Sequence, residues 1–274
     1  MEAALNSPLS DLQSRALTGV RSTTPIRLER EHFLVKTVDS YSELEAALRL
    51  RQRVYQAEYG IPAQPYGLDL DAYDPICDHL VIVSKRTGDV VGTYRMLCSN
   101  RVNQFYSEQE FELGNLLRVP GIKVELGRAC IAPEHRTGTT LALLWRGILA
   151  YCQQNEAEFL FGCSSVKVTD PALVARLVLR LEASGHLRLE PGLTSVQPRG
   201  DYRMVGLPEA IELERRDPGF APPPPLSPLL LTYLKAGARI LGLPALDREF
   251  GCVDFLTVMD LKQMTAAYGR KFST

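Results

Sequence analysis

The apolar positions of this chain change period along its length, and those changes mark out its elements. Residues 1–31 are polar, mixed and aperiodic, which predicts a mobile leader. Phe33-Leu-Val-Lys-Thr-Val38 then predicts a strand. Ser42-Glu-Leu-Glu45 has the form of a capping box, a hydroxyl followed three residues later by a carboxylate. Leu44, Ala47, Leu48, Val54 and Tyr55 recur behind it at helical spacing, so a helix is predicted over about 43–58, ended by Gly60 and Pro62. From there to Asp78 the chain is rich in Pro, Gly, Tyr and Asp and reads as a long loop. Long loops inside compact domains are usually functional or disordered.

His79–Ser84 and Val90–Leu97, joined by a turn at Arg86–Asp89, predict a β-hairpin. Ile122–Ile131 is a third strong strand, stopped by Pro133. A short loop, Glu134–Gly138, leads into Leu141, Leu144, Trp145, Ile148 and Cys152, the spacing of a core-facing helix. Phe159–Cys163 reads as a short buried strand, and Asp170-Pro171 opens a helix with proline in its first turn. Further on the pattern thins to a stiff proline run (Pro222–Pro225), a helix-like run (Leu229–Leu241) and a last strand (Val253–Met259). This order predicts one α/β domain around a mixed sheet.

Composition narrows the class. The 274 residues, 45% hydrophobic, are ample for a core and exclude a disordered or fibrous chain. A net charge of −1 argues against wholesale nucleic-acid binding. No apolar run approaches the ~18 residues of a membrane span, and the N-terminus lacks the basic-then-apolar order of a secretory signal. The six cysteines form no CxxC pair and no zinc spacing. They read as reduced thiols of a cytosolic protein, with no metal expected.

Four places could carry chemistry. In the strand Ile122–Ile131, Lys123, Glu125, Gly127 and Ala129 share one face, and Val124, Leu126 and Arg128 the other. A carboxylate and a guanidinium in so apolar a strand are costly unless paired or used. They are either a structural ion pair or a working site. Arg136-Thr-Gly-Thr-Thr140 opens a helix and is either an ordinary capped start, with Thr139 or Thr140 as cap, or a phosphate-binding one. Asp69-Leu-Asp-Ala-Tyr-Asp74 is either a solvated loop or an anionic lid that selects a cation or pairs with Arg51 or Arg95. Arg51 and Arg53 sit on the first helix, where a solvated face is the ordinary fate, and Tyr55 lies one turn beyond Arg51. His79 and His135 are isolated, with no nucleophile motif beside them.

Taken in order, Arg51-Gln-Arg-Val-Tyr55, Asp71-Ala-Tyr-Asp74, Cys77-Asp-His-Leu80, Val91-Gly-Thr-Tyr-Arg95, Phe105-Tyr-Ser-Glu108, Glu125-Leu-Gly-Arg128, Pro133-Glu-His-Arg136, Leu144-Trp145 and Leu160-Phe-Gly-Cys163 resemble the ornithine-acyl-carrier-protein N-acyltransferases, hemolysin-like members of the GNAT superfamily. So do the late Pro224-Pro-Leu226 and Tyr233, and the likeness covers roughly 33–260. A more distant resemblance is to acyl-homoserine-lactone synthases. Their pattern falls on Arg51 and Tyr55, Asp71 and Asp74, Arg95, and Glu125 with Arg128. The tryptophan those synthases carry is absent, Ile61 occupying its neighbourhood, which argues against lactone synthesis.

The resemblance implies a GNAT-like mixed central sheet flanked by helices, spanning 32–274 with a family-specific extension from about 222. It implies an enzyme that moves a (3-hydroxy)fatty acyl group from acyl-carrier protein to the α-amine of L-ornithine, giving lyso-ornithine lipid. Another acceptor (glycine, tyrosine, lysine) or a non-catalytic acyl-binding module are the alternatives. Glu125 and Arg128 would be catalytic, and Arg51, Tyr55, Asp71, Asp74 and Arg95 would bind substrate. The superfamily's phosphate loop is reduced here to Arg136, Gly138, Thr139 and Thr140, enough for the single phosphate of a phosphopantetheine arm and meagre for coenzyme A. No permanently bound cofactor is implied. The protein is expected in the cytoplasm, with any membrane contact peripheral and centred on 222–241 unless those residues pack on the sheet.

Overall fold

A computed structural model describes residues 22–188, 196–219 and 222–264. In chain order the strands are β1 (Arg27–Glu29), β2 (Phe33–Thr37), β3 (Asp78–Ser84), β4 (Val90–Cys98), β5 (Phe111–Glu112), β6 (Ile122–Ile131), β7 (Ala157–Val166), β8 (Leu187–Arg188), β9 (Gln197–Pro198), β10 (Arg239–Leu241), β11 (Ala245–Asp247) and β12 (Cys252–Asp260). The helices are α1 (Tyr41–Tyr59), α2 (Gly138–Gln154), α3 (Pro171–Ala183), α4 (Leu207–Arg216) and α5 (Pro228–Ala236). Strands and helices are interleaved, the mixed α/β class that the periodicity predicts.

Two compact units divide the described residues, one formed by 22–98 with Leu126–Glu156, the other by Ser99–Glu125 with the described residues from Ala157 on. In the first, β1, β2, β3 and β4 pair antiparallel in sequence, with the second half of β6 beside β4. Helices α1 and α2 pack on this sheet. Leu44, Leu48, Leu80, Ile82, Met96, Leu144, Trp145 and Ile148 fill the space between. Each such side chain contributes roughly 1.5–3 kcal/mol on burial. Gly147 lets α2 approach closely, since a Cβ there would lie 2.7 Å from a Leu80 methyl and 2.9 Å from one of Val35.

In the second unit the first residues of β6 run parallel to β7, from Ile122↔Ala157 to Glu125↔Phe161. β7 pairs antiparallel with β12 over most of its length, from Phe159↔Asp260 to Val166↔Val253. Beyond β12 lie β10 and then β8. Val174, Leu177, Val178, Leu230, Ile240, Val253 and Phe255 belong to one core cluster in this unit.

Several sequence expectations are corrected locally. Residues 22–31 are not a free leader: β1 pairs with β2, and Ser22 Oγ and Thr23 N each donate to Asp78 at 2.8 Å. The rest of the expected leader, 1–21, lies outside the described residues. The cap of α1 is Ser40, whose hydroxyl accepts from Glu43 N, while the Glu43 carboxylate turns back to accept from Asp39 N. Two overlapping boxes, Ser40-x-x-Glu43 and Ser42-x-x-Glu45, compete in the sequence, and the extended backbone at Ser40 decides. Likewise Thr137, not Thr139 or Thr140, caps α2. The helix-like run 229–241 is α5 followed by β10, because Gly237 takes a left-handed conformation and ends the helix. Leu226, Leu230 and Leu234 of this segment are buried, so its apolar surface packs inward. Among the described residues no helix is long and apolar enough to cross a membrane.

Candidate active site

The first unit contains a knot of buried charge. Arg51 leaves the inner face of α1 and is fully buried. Its Nε donates to Asp69 Oδ2 at 2.5 Å, and its Nη1 and Nη2 donate to Asp74 Oδ1 and Oδ2 at 2.7 and 3.2 Å. Arg95, on β4, donates from Nη1 to Asp71 at 2.6 Å and to Asp74 at 3.2 Å. Arg128, on β6, donates from Nη2 to Asp71 Oδ2 at 3.0 Å and lies over the Tyr55 ring. Three guanidiniums thus meet three aspartates, and the formal charges cancel.

Backbone donors complete the knot. Asp71 N donates to Asp74 Oδ2 at 2.8 Å, and Tyr73 N donates to Asp71 Oδ1 at 2.8 Å. The 60–78 loop is therefore folded around its own carboxylates. His79 Nε2 lies 3.0 Å from the Asp74 carbonyl oxygen, which as an acceptor places the imidazole proton on Nε2. Burial drives the His79 pKa below its ordinary value and keeps the ring neutral beside the cations. Burial alone would raise the Asp74 carboxyl, but Arg51 and Arg95 outweigh it and hold it well below the usual carboxylate range. Asp71 is lowered in the same way, burial opposed by Arg95 and Arg128.

Accessibility divides the set. The Arg51 and Asp74 side chains are 1% and 0% exposed, whereas Arg128 and Asp71 keep 15% and 25%. Arg128 and Asp71 are the members turned outward. Arg128 also sits at a φ of +51°, a left-handed conformation that interrupts the strict alternation expected along this strand. Asp69 was visible in the sequence only as part of an acidic loop, and it is a full member of the knot.

Glu125 stands in the second unit, 4% exposed. Its Oε2 accepts from Tyr106 N at 2.7 Å, and its Oε1 accepts from Ser107 N at 2.7 Å and from the Ser107 hydroxyl. The Cys163 thiol on β7 donates to Ser107 Oγ at 3.6 Å. Lys123, on the same face of β6, turns its ammonium to the carbonyls of Val119 and Gly121. Ser107 is absent from the residues expected at the site. The signal for it was the Phe105-Tyr-Ser-Glu108 segment, which the resemblance includes without assigning it a role.

At the start of α2, Thr137 Oγ1 accepts from Thr140 N at 3.2 Å, and Thr140 is buried. Gly138 and Thr139 are exposed, and a Cβ at Gly138 would meet nothing within 4 Å. Arg136 pairs with Glu58 and donates from Nε to Ile131 O at 3.1 Å.

One buried group has the composition of a metal site: Asp247, Cys252 and Asp254 bring their ligand-type atoms within 4.8 Å. Asp247 Oδ1 accepts from Glu249 N at 2.8 Å and Phe250 N at 3.0 Å, and Asp254 Oδ1 accepts from Ser165 at 2.6 Å, so turn and strand contacts account for the group. Burial pushes the Cys252 and Cys163 thiols well up and the Cys130 thiol up to about 12.

Residues 50–146 match the family described as Acetyltransferase (GNAT) domain. The chain is 34% identical over 245 residues to the L-ornithine N(alpha)-acyltransferase of Rhizobium meliloti, covering 84% of this chain and 80% of that one. It is 32% identical over 249 residues to the protein of the same name from Agrobacterium fabrum, covering 82% and 80%. For the one from Rhodobacter capsulatus the figures are 32% over 246 residues, 85% and 91%. Such likeness extends well past the acyltransferase core and embraces both units, and this chain belongs to the L-ornithine N(alpha)-acyltransferase family.

Proposed function

We propose that the protein transfers a (3-hydroxy)fatty acyl group from acyl-carrier protein to the α-amine of L-ornithine, releasing lyso-ornithine lipid. The observation that carries this reading is its identity to relatives named for acyl transfer to ornithine, over most of both lengths. The overall change is RC(O)–S–pantetheine plus ornithine α-ammonium giving the amide, the free pantetheine thiol and one proton. The C–S bond breaks as the C–N bond forms. The departing thiolate takes up one of the two protons that the nitrogen loses, and the other passes to solvent. No residue of the protein needs to become acylated.

In this reading Glu125 is the carboxylate for the acceptor's α-ammonium. In the first unit, Arg128 offers a guanidinium suited to a carboxylate, and Asp71 a carboxylate suited to an ammonium. Arg51, Asp74 and Arg95, closed to solvent, act by holding Asp71 and Arg128 in place, and Tyr55 supports the Arg128 plane. The N–H groups of Gly138 and Thr139 and the nearby Arg136 receive the pantetheine phosphate, helped by the positive end of the α2 dipole. The enzyme works in the cytoplasm.

Incubation of the purified protein with 3-hydroxyacyl carrier protein and ornithine, followed by mass spectrometry, should yield an amide that releases ornithine on hydrolysis. Acylation of glycine, tyrosine or lysine in preference to ornithine would overturn the acceptor. Equal or higher catalytic efficiency with acyl-coenzyme A, with no salt dependence for the carrier, would overturn the donor.

A further inference from the structure

The grip on Glu125 bears on what that residue can do. Both carboxylate oxygens face N–H donors, Tyr106 N at Oε2 and Ser107 N at Oε1, each at 2.7 Å. Protonating the carboxyl would weaken it as an acceptor for these N–H groups, which can only donate, so the contacts favour the charged form. The Ser107 hydroxyl, itself 0% exposed, has one proton and spends it on Oε1. The same hydroxyl oxygen accepts from the Cys163 thiol, so the hydrogen bonds run in one direction, from thiol to hydroxyl to carboxylate.

The neighbouring titratable groups come from several elements. Cys163 on β7 feels the charges of Glu125, of Glu110 ahead of β5 and of Asp254 on β12, and after burial these keep its thiol protonated. Glu110 and Asp254 disfavour a further negative charge nearby, and the three direct donors oppose them at contact distance. Glu108 accepts from Phe105 N at 2.7 Å, and Lys123 is turned to backbone carbonyls.

We propose that Ser107 is a positioning residue that locks Glu125 as a carboxylate, and that Glu125 serves the reaction by holding the acceptor's ammonium and not by taking up its proton. This deepens the acyl-transfer reading and rests on it for the identity of the ammonium. The proton then leaves through water, and the amine is set in line by a charge that stays put through the cycle.

The test is carbon-13 NMR of protein labelled at the glutamate carboxyls, with Glu125 assigned through E125Q. In wild-type protein the Glu125 signal should remain that of a carboxylate to below the ordinary glutamate value of about 4.3. In S107A it should titrate about one to two pH units higher, the loss of one hydrogen bond to a charged group. S107T should restore the wild-type titration, and S107C, which keeps the volume with a weaker donor, should fall between, covering the case in which S107A does not fold. In kinetics, E125Q and S107A should raise the ornithine KM by more than they lower kcat. Wild-type titration of Glu125 near neutrality, no shift in the Ser107 variants, or a fall in kcat with KM unchanged would overturn the proposal. The titration is read without substrate. A protein that acylates no ornithine would sink the functional reading and leave the locked carboxylate standing.

Discussion

Arg51 and Asp74 bind each other through two parallel hydrogen bonds, at 2.7 and 3.2 Å, with both side chains closed to solvent. A bidentate pair of this kind fixes direction as well as distance. It ties the inner face of α1 to the loop that carries Asp69 and Asp71. Removing one partner leaves the other charge buried. R51M should therefore cost about 3–5 kcal/mol, read as a lower denaturant midpoint at unchanged slope. R51K keeps the charge but cannot span both oxygens and should also destabilise. R51M with D74N should recover part of the loss, and an additive double variant would refute the coupling.

Acid should unfold the protein in two stages. His79 has its pKa depressed in the folded state by burial. Below the ordinary value of about 6.5 the unfolded chain binds the proton more readily, so stability should decline as pH falls from there toward the folded pKa. Asp74, Asp71 and Asp78 are also depressed, despite burial, by arginines in the first two cases and by hydrogen bonds from Tyr151, Ser22 and Thr23 in the third. Their contribution is complete above about pH 4 and is lost as pH drops further through the folded values. Urea midpoints from pH 7 to 3 should show both declines. H79Q should reduce the first, to which His186, also lowered by burial, contributes, and leave the second; stability that rises between pH 7 and 5 would contradict the assignment.

Asp71 and Arg128 should separate activity from stability. They are the outward members of the knot, and their pairing is part-solvated. D71N should lower kcat/KM for ornithine about 10- to 100-fold, the scale of one hydrogen bond to a charged group. Its thermal midpoint should move far less than that of R51M. Equal kinetics in D71N and wild type would remove Asp71 from the acceptor site.

G147A tests packing against propensity. Alanine is worth about 1 kcal/mol more than glycine inside a helix. Here its Cβ would enter contacts of 2.7 Å with Leu80 and 2.9 Å with Val35, and overpacking costs about 1–3 kcal/mol. The variant should be destabilised by calorimetry, and trimming the neighbour in G147A with V35A should recover part of the loss.

The long, strongly periodic elements were legible: β2, β3, β4, β6, α1, α2, α3 and β12 lie where alternation and helical spacing put them. Two- and three-residue strands such as β1 and β8 are too short to show a period, and α4 has only Leu207 and Ile211 buried. Ends were misplaced where two signals overlapped, as with Ser40 and Ser42. The charged set was legible as a list and not as an arrangement. Arg51 has the spacing of a boundary residue, and its burial depends on carboxylates 18 and 23 residues away in sequence. Ser107 could not be singled out, because a serine 18 residues from Glu125 carries no local pattern.

The buried thiols bear on side reactions. The proposed thioester donor is vulnerable to any thiolate it meets, since exchange would strand the acyl chain on the protein. Thiolate, not thiol, is the attacking form. Burial keeps Cys130, Cys163 and Cys252 protonated at neutral pH. An acyltransferase thus carries these three sulfurs without being acylated on them, protected by the same packing that holds the sheet together.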